Sequence, residues 1–275
     1  MNLPNPRDLI EIHGLSAKKR FGQHFLLDRN ILAKIVHAAG ALNGVQAIEI
    51  GPGPGALTME LVRSPAAHVT AIEIDDRMMP ALREIESAAD GRLSVLHQDA
   101  MKMDVSVAVP SPRAIIANLP YNVGTQLLIG WLKLIHRAPD SIQSMTLMFQ
   151  KEVAERFAAS PSTAAYGKVS ILAQWLCDVE LLFDIPPGAF SPPPKIVSTV
   201  VRFVPRHERM FSASFEEVEA FLAVAFAQRR KMLRKTLSGY LPNTISALEH
   251  LGIDPTRRAE TLTLTEVGKI LHQKK

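Results

Sequence analysis

Residues 46–55 read Gln-Ala-Ile-Glu-Ile-Gly-Pro-Gly-Pro-Gly, and this stretch decides the fold. A short apolar strand over residues 46–50 ends at three glycines, and a helix is predicted to follow over residues 56–62. Glycines allow a sharp turn and let a ligand approach the backbone closely. The spacing is G-x-G-x-G, and Ala56 stands where the dinucleotide fingerprint G-x-G-x-x-G has its third glycine, which favours a different ligand.

Acidic residues at the ends of three successive predicted strands indicate that ligand. Glu49 lies two residues before Gly51, where a carboxylate suits a cationic ammonium or sulfonium better than a pyrophosphate. Glu73 can accept hydrogen bonds from ribose hydroxyls, and Asp99 or its neighbouring backbone can read the edge of an adenine. Together these residues predict S-adenosylmethionine. In the alternative interpretation Asp99 caps a helix, and Glu49 and Glu73 are exposed at the surface.

Strands and helices alternate through the first two thirds of the chain. The predicted strands cover residues 46–50, 68–74, 93–97, 113–118, 144–149, 179–183 and 197–204, and the predicted helices cover residues 28–37, 56–62, 76–88, 125–135, 152–159, 169–175, 215–228, 230–237, 245–251 and 264–271. This order predicts an α/β, Rossmann-like fold with a mainly parallel, doubly wound sheet, plus a small C-terminal all-helical domain. The boundary is expected between residues 204 and 214. The Pro-rich stretch 186–194 is expected to lack regular structure.

Composition limits the classes of function. Residues 1–205 carry 19 basic and 19 acidic side chains, whereas residues 206–275 carry 12 and 8, so the net charge of +4 lies in the C-terminal quarter. This excess favours a polyanionic partner there. No run of about 18 apolar residues is present, so no membrane partner is expected. The single cysteine, Cys177, is predicted to lie in the core, and the lack of a signal-peptide pattern favours a cytoplasmic location.

Residues 118–121 read Asn-Leu-Pro-Tyr and follow the fourth predicted strand, at the carboxyl edge of the sheet where ligands bind. The exocyclic amine of adenine is a poor nucleophile because its lone pair is delocalised into the ring. The Asn118 side-chain carbonyl and a backbone carbonyl at Leu119 or Pro120 could accept its N–H groups and localise the lone pair. Tyr121 offers a stacking face. The alternative is a purely structural turn with an Asn cap and a half-buried Tyr. The proposed methyl transfer needs no metal ion, and no metal site is expected.

Several motifs together resemble those of the bacterial small-subunit ribosomal RNA adenine dimethyltransferases, which belong to the rRNA adenine N6-methyltransferase family. Residues 18–26 are similar to the family's N-terminal motif that closes over the methyl donor, and residues 49–55 and 118–121 to its cofactor and catalytic motifs. Residues 190–198 resemble its signature loop near the target base. Residues 227–235 resemble the basic helix of its RNA-binding domain, so the resemblance covers nearly the whole chain.

The resemblance implies roles for single residues and for segments. The methyl donor would be bound by His24, Leu26, Gly51, Glu73, Asp99 and Asn118. Catalysis would fall to Asn118 and Tyr121, with Phe190 stacking on the other face of the base. Ribosomal RNA would be bound by Arg229, Arg230, Lys231, Arg234 and Lys235. The implied domains are an arm closing over the cofactor at 1–27, an S-adenosylmethionine-dependent methyltransferase domain at 28–205 and a helical rRNA-binding domain at 206–275.

His24 departs from the family pattern, because many members carry Asn at this position. An imidazole can still donate or accept one hydrogen bond, but an imidazolium next to a sulfonium would be unfavourable. We therefore expect His24 to be neutral in the complex. A donor affinity that rises at low pH would contradict this expectation.

Two stretches can also be interpreted from their own residues. Three prolines stiffen residues 190–194 and would allow Phe190 to be held exposed, whereas the alternative is a Phe packed into the core. If residues 222–237 were helical, Leu222, Phe226, Leu233 and Leu237 would form one stripe, with the cations of residues 230–235 about 120° away. Such a helix could pack and still present a basic face to phosphates. The alternative is an ordinary solvated face.

The expected activity is methyl transfer to the N6 amines of two adjacent adenosines near the 3′ end of small-subunit rRNA, in the 30S particle and during its maturation. That each amine receives two methyl groups is implied by the resemblance alone. A related large-subunit rRNA methyltransferase that confers antibiotic resistance is an alternative enzyme, and residues 229–235 favour the small-subunit type. A non-catalytic assembly factor is an alternative of another class; an intact Asn118 and Tyr121 argue against it. A monomer is expected.

Overall fold

The computed structural model describes residues 1–18 and 23–274. The strands are β1 Phe25–Leu26, β2 Gln46–Ile50, β3 His68–Glu73, β4 Leu93–His97, β5 Arg113–Asn118, β6 Ser144–Gln150, β7 Cys177–Ile185, β8 Phe190–Ser191 and β9 Ser198–Pro205. The helices are α1 Pro6–Ile12, α2 Arg29–Ala38, α3 Ala56–Arg63, α4 Met79–Ala88, α5 Val105–Ala108, α6 Gly124–Arg137, α7 Lys151–Phe157, α8 Lys168–Leu176, α9 Phe215–Ala225, α10 Leu233–Thr236, α11 Thr244–His250 and α12 Leu264–Gln273.

Seven strands form one sheet in the order β4-β3-β2-β5-β6-β9-β7. The neighbours from β4 to β6 pair in parallel, and β9 pairs antiparallel with β6. The inner strands β2, β3 and β5 bury nearly all of their side chains, as parallel strands covered by helices do. The predicted α/β, Rossmann-like fold with a mainly parallel sheet is confirmed.

The chain divides into two compact units. The first contains residues 1–154 and 180–205, and the second contains residues 155–179 and 206–274. The prediction had placed residues 155–179 in the larger domain. They belong with the second unit because Trp175 stacks on Phe211 with ring centroids 5.1 Å apart, and the Tyr166 hydroxyl donates to the Leu262 carbonyl at 2.8 Å.

The helices of the second unit are shorter than predicted around the basic residues. Helix α9 ends at Ala225 and α10 covers only Leu233–Thr236, so the prediction of helices over 215–228 and 230–237 is wrong in its bounds. The N–H groups of Leu233 and Arg234 donate to the carbonyls of Arg257 and Pro255. These two N–H groups would otherwise bond to carbonyls of a preceding helical turn. Because a distant segment satisfies them, no helix is needed before residue 233.

The Pro-rich stretch is more regular than predicted. A 3-10 turn covers Pro187–Ala189, and β8 pairs antiparallel with β1, with Leu26 opposite Phe190. The residue before a proline favours an extended backbone, which suits Ser191 for a strand. The expectation of no regular structure at 186–194 is therefore wrong. This two-stranded ribbon joins the N-terminal arm to the loop that follows β7.

Several smaller features bear on later arguments. Helix α1, which was not predicted, begins after Asn5, whose side chain accepts from the Arg7 N–H at 2.9 Å. Cys177 is fully buried, as predicted, and burial raises the pKa of its thiol to about 12. Trp131 lies in the core of the first unit. No helix within residues 1–18 and 23–274 combines the length and apolar character that a membrane crossing requires.

Candidate functional site

A cavity of about 230 Å³ lies at the carboxyl ends of the parallel strands in the first unit. Seven of the residues to which the resemblance assigns a role line it: His24, Leu26, Gly51, Glu73, Asp99, Asn118 and Tyr121. The structure therefore brings the two motifs at 49–55 and 118–121 to one site, as the order of a doubly wound sheet predicts. Glu49 lines the same cavity.

The glycine-rich turn shapes one wall of this cavity. Gly51, Gly53 and Gly55 all have positive φ angles, from +55° to +84°. A Cβ on Gly55 would lie only 2.2 Å from the Cδ1 atom of Ile85, so the turn packs directly on helix α4. Only glycine meets both demands at this position.

Glu49 is buried at the end of β2 and accepts a 2.5 Å hydrogen bond from the Thr58 hydroxyl. Burial raises the pKa of this carboxyl to about 8, with a further contribution from the nearby Glu73 and against the effect of the Thr58 hydrogen bond. No Lys or Arg in the described ranges forms an ion pair with Glu49 or Glu73. Within the described residues, the site thus holds two buried carboxyl groups that form no ion pair with a Lys or Arg, which suits a cationic ligand.

Glu73 is fixed by the backbone. One carboxylate oxygen accepts from the N–H of Gly53 at 3.1 Å, and the other accepts from the N–H groups of Ile74 and Asp75, each at 2.8 Å. Burial raises the pKa of Glu73, and these three hydrogen bonds oppose that shift. The carboxylate is therefore a rigid acceptor that also ties the glycine turn to the end of β3.

Two apolar side chains in the cavity were not singled out from the sequence. Ile74 is 57% exposed and Met101 is 47% exposed, although both line the cavity. Exposed apolar walls of this kind fit a flat, weakly polar ring. The Asp99 carboxylate accepts from the Met101 N–H at 2.9 Å. It therefore caps the short helical turn that follows, as the alternative interpretation of Asp99 had it. Both apolar residues follow closely after an acidic residue at a strand end, and this position could have identified them as cavity residues from the sequence.

Asn118 ends β5, and its side-chain N–H donates to the His24 carbonyl at 3.3 Å. This bond leaves the amide oxygen of Asn118 as the atom able to accept from a substrate. The Pro120 carbonyl already accepts from the N–H groups of Val123 and Gly124, at 3.2 and 3.1 Å. Of the two backbone acceptors considered from the sequence, Leu119 is therefore the one with capacity for a substrate amine.

Tyr121 is held from two sides. Its hydroxyl forms a 2.7 Å hydrogen bond with the Ser198 hydroxyl, and its ring lies 5.6 Å from the His24 ring at an angle of 32°. Ser198 is fully buried at the start of β9, so this anchor is rigid, and burial raises the pKa of the Tyr121 phenol. Ser198 lies in the quoted stretch 190–198, but its role in holding Tyr121 was not foreseen.

The His24 ring is oriented by the Pro-rich loop. Its Nδ1 atom lies 2.8 Å from the Pro192 carbonyl, which can only accept. Nδ1 must therefore carry the proton, and in a neutral ring Nε2 is the acceptor. Neutral His24 in the donor complex remains a prediction.

Phe190 does not have the exposed position that was predicted. Its side chain is 4% exposed, packs in the hydrophobic core of the first unit and does not line the cavity. The alternative of a buried Phe is correct. Pairing of β8 with β1 turns this side chain inward, and such a long-range pairing cannot be inferred from local sequence.

The N-terminal arm is tied to the cavity near Asp75. The Asp75 carboxylate accepts from Gln23 Nε2 at 3.0 Å and from Arg77 Nε at 2.9 Å, and Gln23 Oε1 accepts from the Lys18 N–H at 3.0 Å. Burial alone would raise the pKa of Asp75, but the bonds from Arg77 and Gln23 lower it. Residues 19–22 of the predicted arm motif, which include Lys19 and Arg20, lie outside the described residues.

The five predicted RNA-binding residues, Arg229, Arg230, Lys231, Arg234 and Lys235, are all exposed in the second unit. They are not on one continuous helix, so the prediction that these cations form a basic face about 120° from an apolar stripe of the same helix is wrong. Arg229 differs from the others, because its Nε donates to Glu260 at 2.9 Å and its Nη2 donates to the Ala164 carbonyl.

Comparison with known proteins identifies the family of this chain. The sequence profile of the family described as "Ribosomal RNA adenine dimethylase" matches residues 14–274. Two relatives, each named "Ribosomal RNA small subunit methyltransferase A", come from Agrobacterium fabrum and Gluconobacter oxydans. The first is 50% identical over 96% of this chain and 95% of the relative, and the second is 47% identical over 98% and 87%.

Two solved structures are similar over most of the chain. A dimethyladenosine transferase from Plasmodium falciparum has a TM-score of 0.78 and 27% identity, covering 91% of this chain and 97% of that one. The 23S rRNA methyltransferase ErmE has a TM-score of 0.68 and 24% identity, covering 90% and 98%, and shows likeness of fold alone. With a family profile matched over nearly its whole length, this chain belongs to the ribosomal RNA adenine dimethylase family.

Proposed function

We propose that this protein uses S-adenosylmethionine to dimethylate the N6 amines of two adjacent adenosines near the 3′ end of small-subunit rRNA, and that it acts on the 30S particle during maturation. The observation that carries the proposal is the single cavity lined by both the Glu49–Glu73 carboxyl pair and the 118–121 turn. We place the reaction in the cytoplasm, with rRNA, and expect a monomer.

The cavity fits the methyl donor by the chemistry of its walls. When bound, S-adenosylmethionine supplies a methyl group on a positively charged sulfur. Glu49 and the Gly51 turn receive the cationic end, and Glu73 accepts from the ribose hydroxyls. Ile74 and Met101 cover the faces of the adenine, and Asp99 with its neighbouring backbone reads its edge. His24 and Leu26 of the arm close the site.

The acceptor side activates the target amine by position. The Asn118 side-chain oxygen and the Leu119 carbonyl accept the two N–H groups, which localises the nitrogen lone pair toward the methyl carbon. The bound donor would supply the methyl carbon for the new N–C bond and keep the C–S electron pair on sulfur, and the amine would lose its proton to water. In the second transfer only one N–H remains, so one acceptor suffices. Tyr121 provides the stacking face, and the buried Phe190 lies opposite Leu26 in the β1–β8 pair.

The three segments have separate tasks in this proposal. The arm at 1–27 covers the donor. The methyltransferase domain, predicted at 28–205, binds the donor and the target base with residues of the first unit. The second unit, which combines residues 206–274 with 155–179, binds rRNA through residues 229–235, which we name the basic segment. Arg230, Lys231, Arg234 and Lys235 are exposed and suited to phosphates, because they are concentrated within six residues.

A count of methyl groups tests the proposal. Undermethylated 30S particles are incubated with the protein and S-adenosylmethionine, and the rRNA is digested and analysed by mass spectrometry. We expect two methyl groups on each of two adjacent adenosines. Incorporation into protein-free large-subunit rRNA instead would indicate the antibiotic-resistance type of enzyme, and binding without incorporation would indicate a non-catalytic assembly factor. Either result overturns the proposal.

A further inference from the structure

A loop in the second unit is fastened beside the basic segment. We name residues 160–167 the Ser162 loop. The Ser162 N–H donates to the Glu260 carbonyl at 2.8 Å, and the Tyr166 hydroxyl donates to the Leu262 carbonyl at 2.8 Å. Arg229 donates to the Ala164 carbonyl near the tip of the loop. Three bonds along eight residues therefore fix this loop next to Arg229.

The Arg229 guanidinium bonds to other groups of the protein. One edge pairs with the Glu260 carboxylate and another binds the loop, which leaves little of its charge for a phosphate. Arg230, Lys231 and Lys235, by contrast, are exposed and form no ion pair with any residue in the described part of the chain. Neighbouring cations of one cluster thus have different tasks.

The Ser162 loop presents a surface that RNA can approach closely. Ser162, Thr163 and Ala164 are exposed and small, and the nearest charged residue after them is the exposed Lys168. No acidic residue occurs between Phe157 and Cys177. Small hydroxyl side chains and backbone N–H groups commonly contact the sugar–phosphate backbone, and a neutral-to-basic segment does not repel it.

We propose that the Ser162 loop is a second RNA-contacting element, which touches the sugar–phosphate backbone next to the phosphates bound by Arg230 and Lys231. Arg229 is a positioning residue that holds the loop against this surface. The inference rests on the proposed function, since it requires that the second unit binds rRNA.

The first experiment places a charge on the loop. Thr163→Glu and its matched control Thr163→Gln lose the same hydrogen bond to Ser160 and differ only in charge. Binding of the full-length protein to undermethylated 30S particles and to protein-free small-subunit rRNA is measured by titration. Thr163→Glu should bind both probes about tenfold more weakly than Thr163→Gln, because a carboxylate would face phosphates. Equal affinities would overturn the inference. A loss confined to the particles would also overturn it, in favour of a ribosomal protein as the partner.

The second experiment separates positioning from contact by salt dependence. Arg230→Gln should lower the slope of log affinity against log salt by about one, because one phosphate contact is lost. Arg229→Gln should weaken binding by about fivefold with an unchanged slope, and it should speed hydrogen exchange at residues 162–166, because a positional bond is lost. An equal fall in slope for both variants would make Arg229 a phosphate ligand and overturn its positioning role.

These measurements also distinguish the inference from the proposed function. If Arg230→Gln and Lys231→Gln leave rRNA affinity unchanged, then the second unit does not bind rRNA through this surface, and both proposals about it fail. If they weaken binding while Thr163→Glu behaves like Thr163→Gln, only the inference about the Ser162 loop fails.

Discussion

The donor side and the acceptor side of the cavity are built in different ways. On the donor side, Thr58 bonds Glu49 across nine residues, and Gly53 bonds Glu73 across 20 residues. On the acceptor side, Asn118 bonds His24 across 94 residues, and His24 bonds Pro192 across 168 residues. The donor side is therefore a product of consecutive strand ends, whereas the acceptor side depends on the arm and the Pro-rich loop.

The largest expected effect comes from the acceptor side. Asn118→Ala removes the side-chain acceptor and the bond to the His24 carbonyl, so the methylation rate should fall by about 100- to 1,000-fold. Binding to 30S particles should be retained, because the basic segment is untouched. Methyl incorporation in single-turnover reactions and a binding titration measure the two quantities. Methylation near the wild-type rate would show that amine activation does not depend on Asn118.

The next largest effect tests the rigidity of the donor side. Gly55→Ala places a Cβ 2.2 Å from Ile85 and retains a φ of +84°, so the free energy of unfolding should fall by about 2 kcal/mol. Thermal unfolding monitored by circular dichroism measures the change. Gly130→Ala in α6 is the matched control, because nothing lies within 4 Å of the added atom and no change or a small gain is expected. Equal Tm values for the two variants would contradict the packing argument.

A smaller effect concerns the charge of Glu49. Its pKa of about 8 means that the free protein carries this carboxyl protonated at neutral pH, and a bound cation favours the ionised form. Donor affinity should therefore rise up to about pH 8, and Glu49→Gln should bind about tenfold more weakly above that pH with a flatter profile. Isothermal titration at several pH values gives both profiles. Superimposable profiles would exclude a role for the charge.

The same pKa also predicts stability. The folded-state pKa lies above the ordinary value of 4.5, so the folded protein binds more protons than the unfolded chain between 4.5 and about 8. The free protein should therefore lose stability as pH rises through this window. Glu49→Gln should lack that loss and unfold at a higher Tm at neutral pH, although it binds the donor less well. A lower Tm for the variant would reverse the sign and contradict the burial argument.

The smallest effect tests how the acceptor side holds its stacking ring. Ser198→Ala removes the partner of the Tyr121 hydroxyl, and kcat should fall about fivefold with little change in the KM for rRNA. Tyr121→Phe should lower kcat to a similar degree, and the double variant should be no worse than either one, because both remove the same bond. Additive losses would mean that Ser198 and Tyr121 act separately.

Much of the fold could be read from local sequence. The strands at 46–50, 93–97 and 113–118 were predicted with their observed bounds, because buried parallel strands are short apolar runs bounded by glycine, proline or polar residues. The residues of the donor side could be predicted for the same reason, because they lie at the ends of such local strands. Helix α1 was missed although Asn5 and Pro6 carry ordinary signals of a helix start.

The remainder depended on contacts between distant segments. Phe190 is buried because β8 pairs with β1, and no local pattern reports that pairing. The choice of Leu119 over Pro120 as the second acceptor follows only from the bonds that begin α6. Likewise, the basic segment is not a continuous helix, because its backbone bonds to residues 255–258 replace helical ones.

The placement of the two tryptophans has a spectroscopic consequence. Trp131 lies in the core of the first unit, and Trp175 lies in the second, stacked on Phe211 at an angle of 6°. The chain has no other tryptophan, so each unit carries its own fluorophore. Emission from Trp131→Phe reports the second unit alone, and emission from Trp175→Phe reports the first. Denaturant titrations of the two variants therefore show whether the first and second units unfold together or in succession.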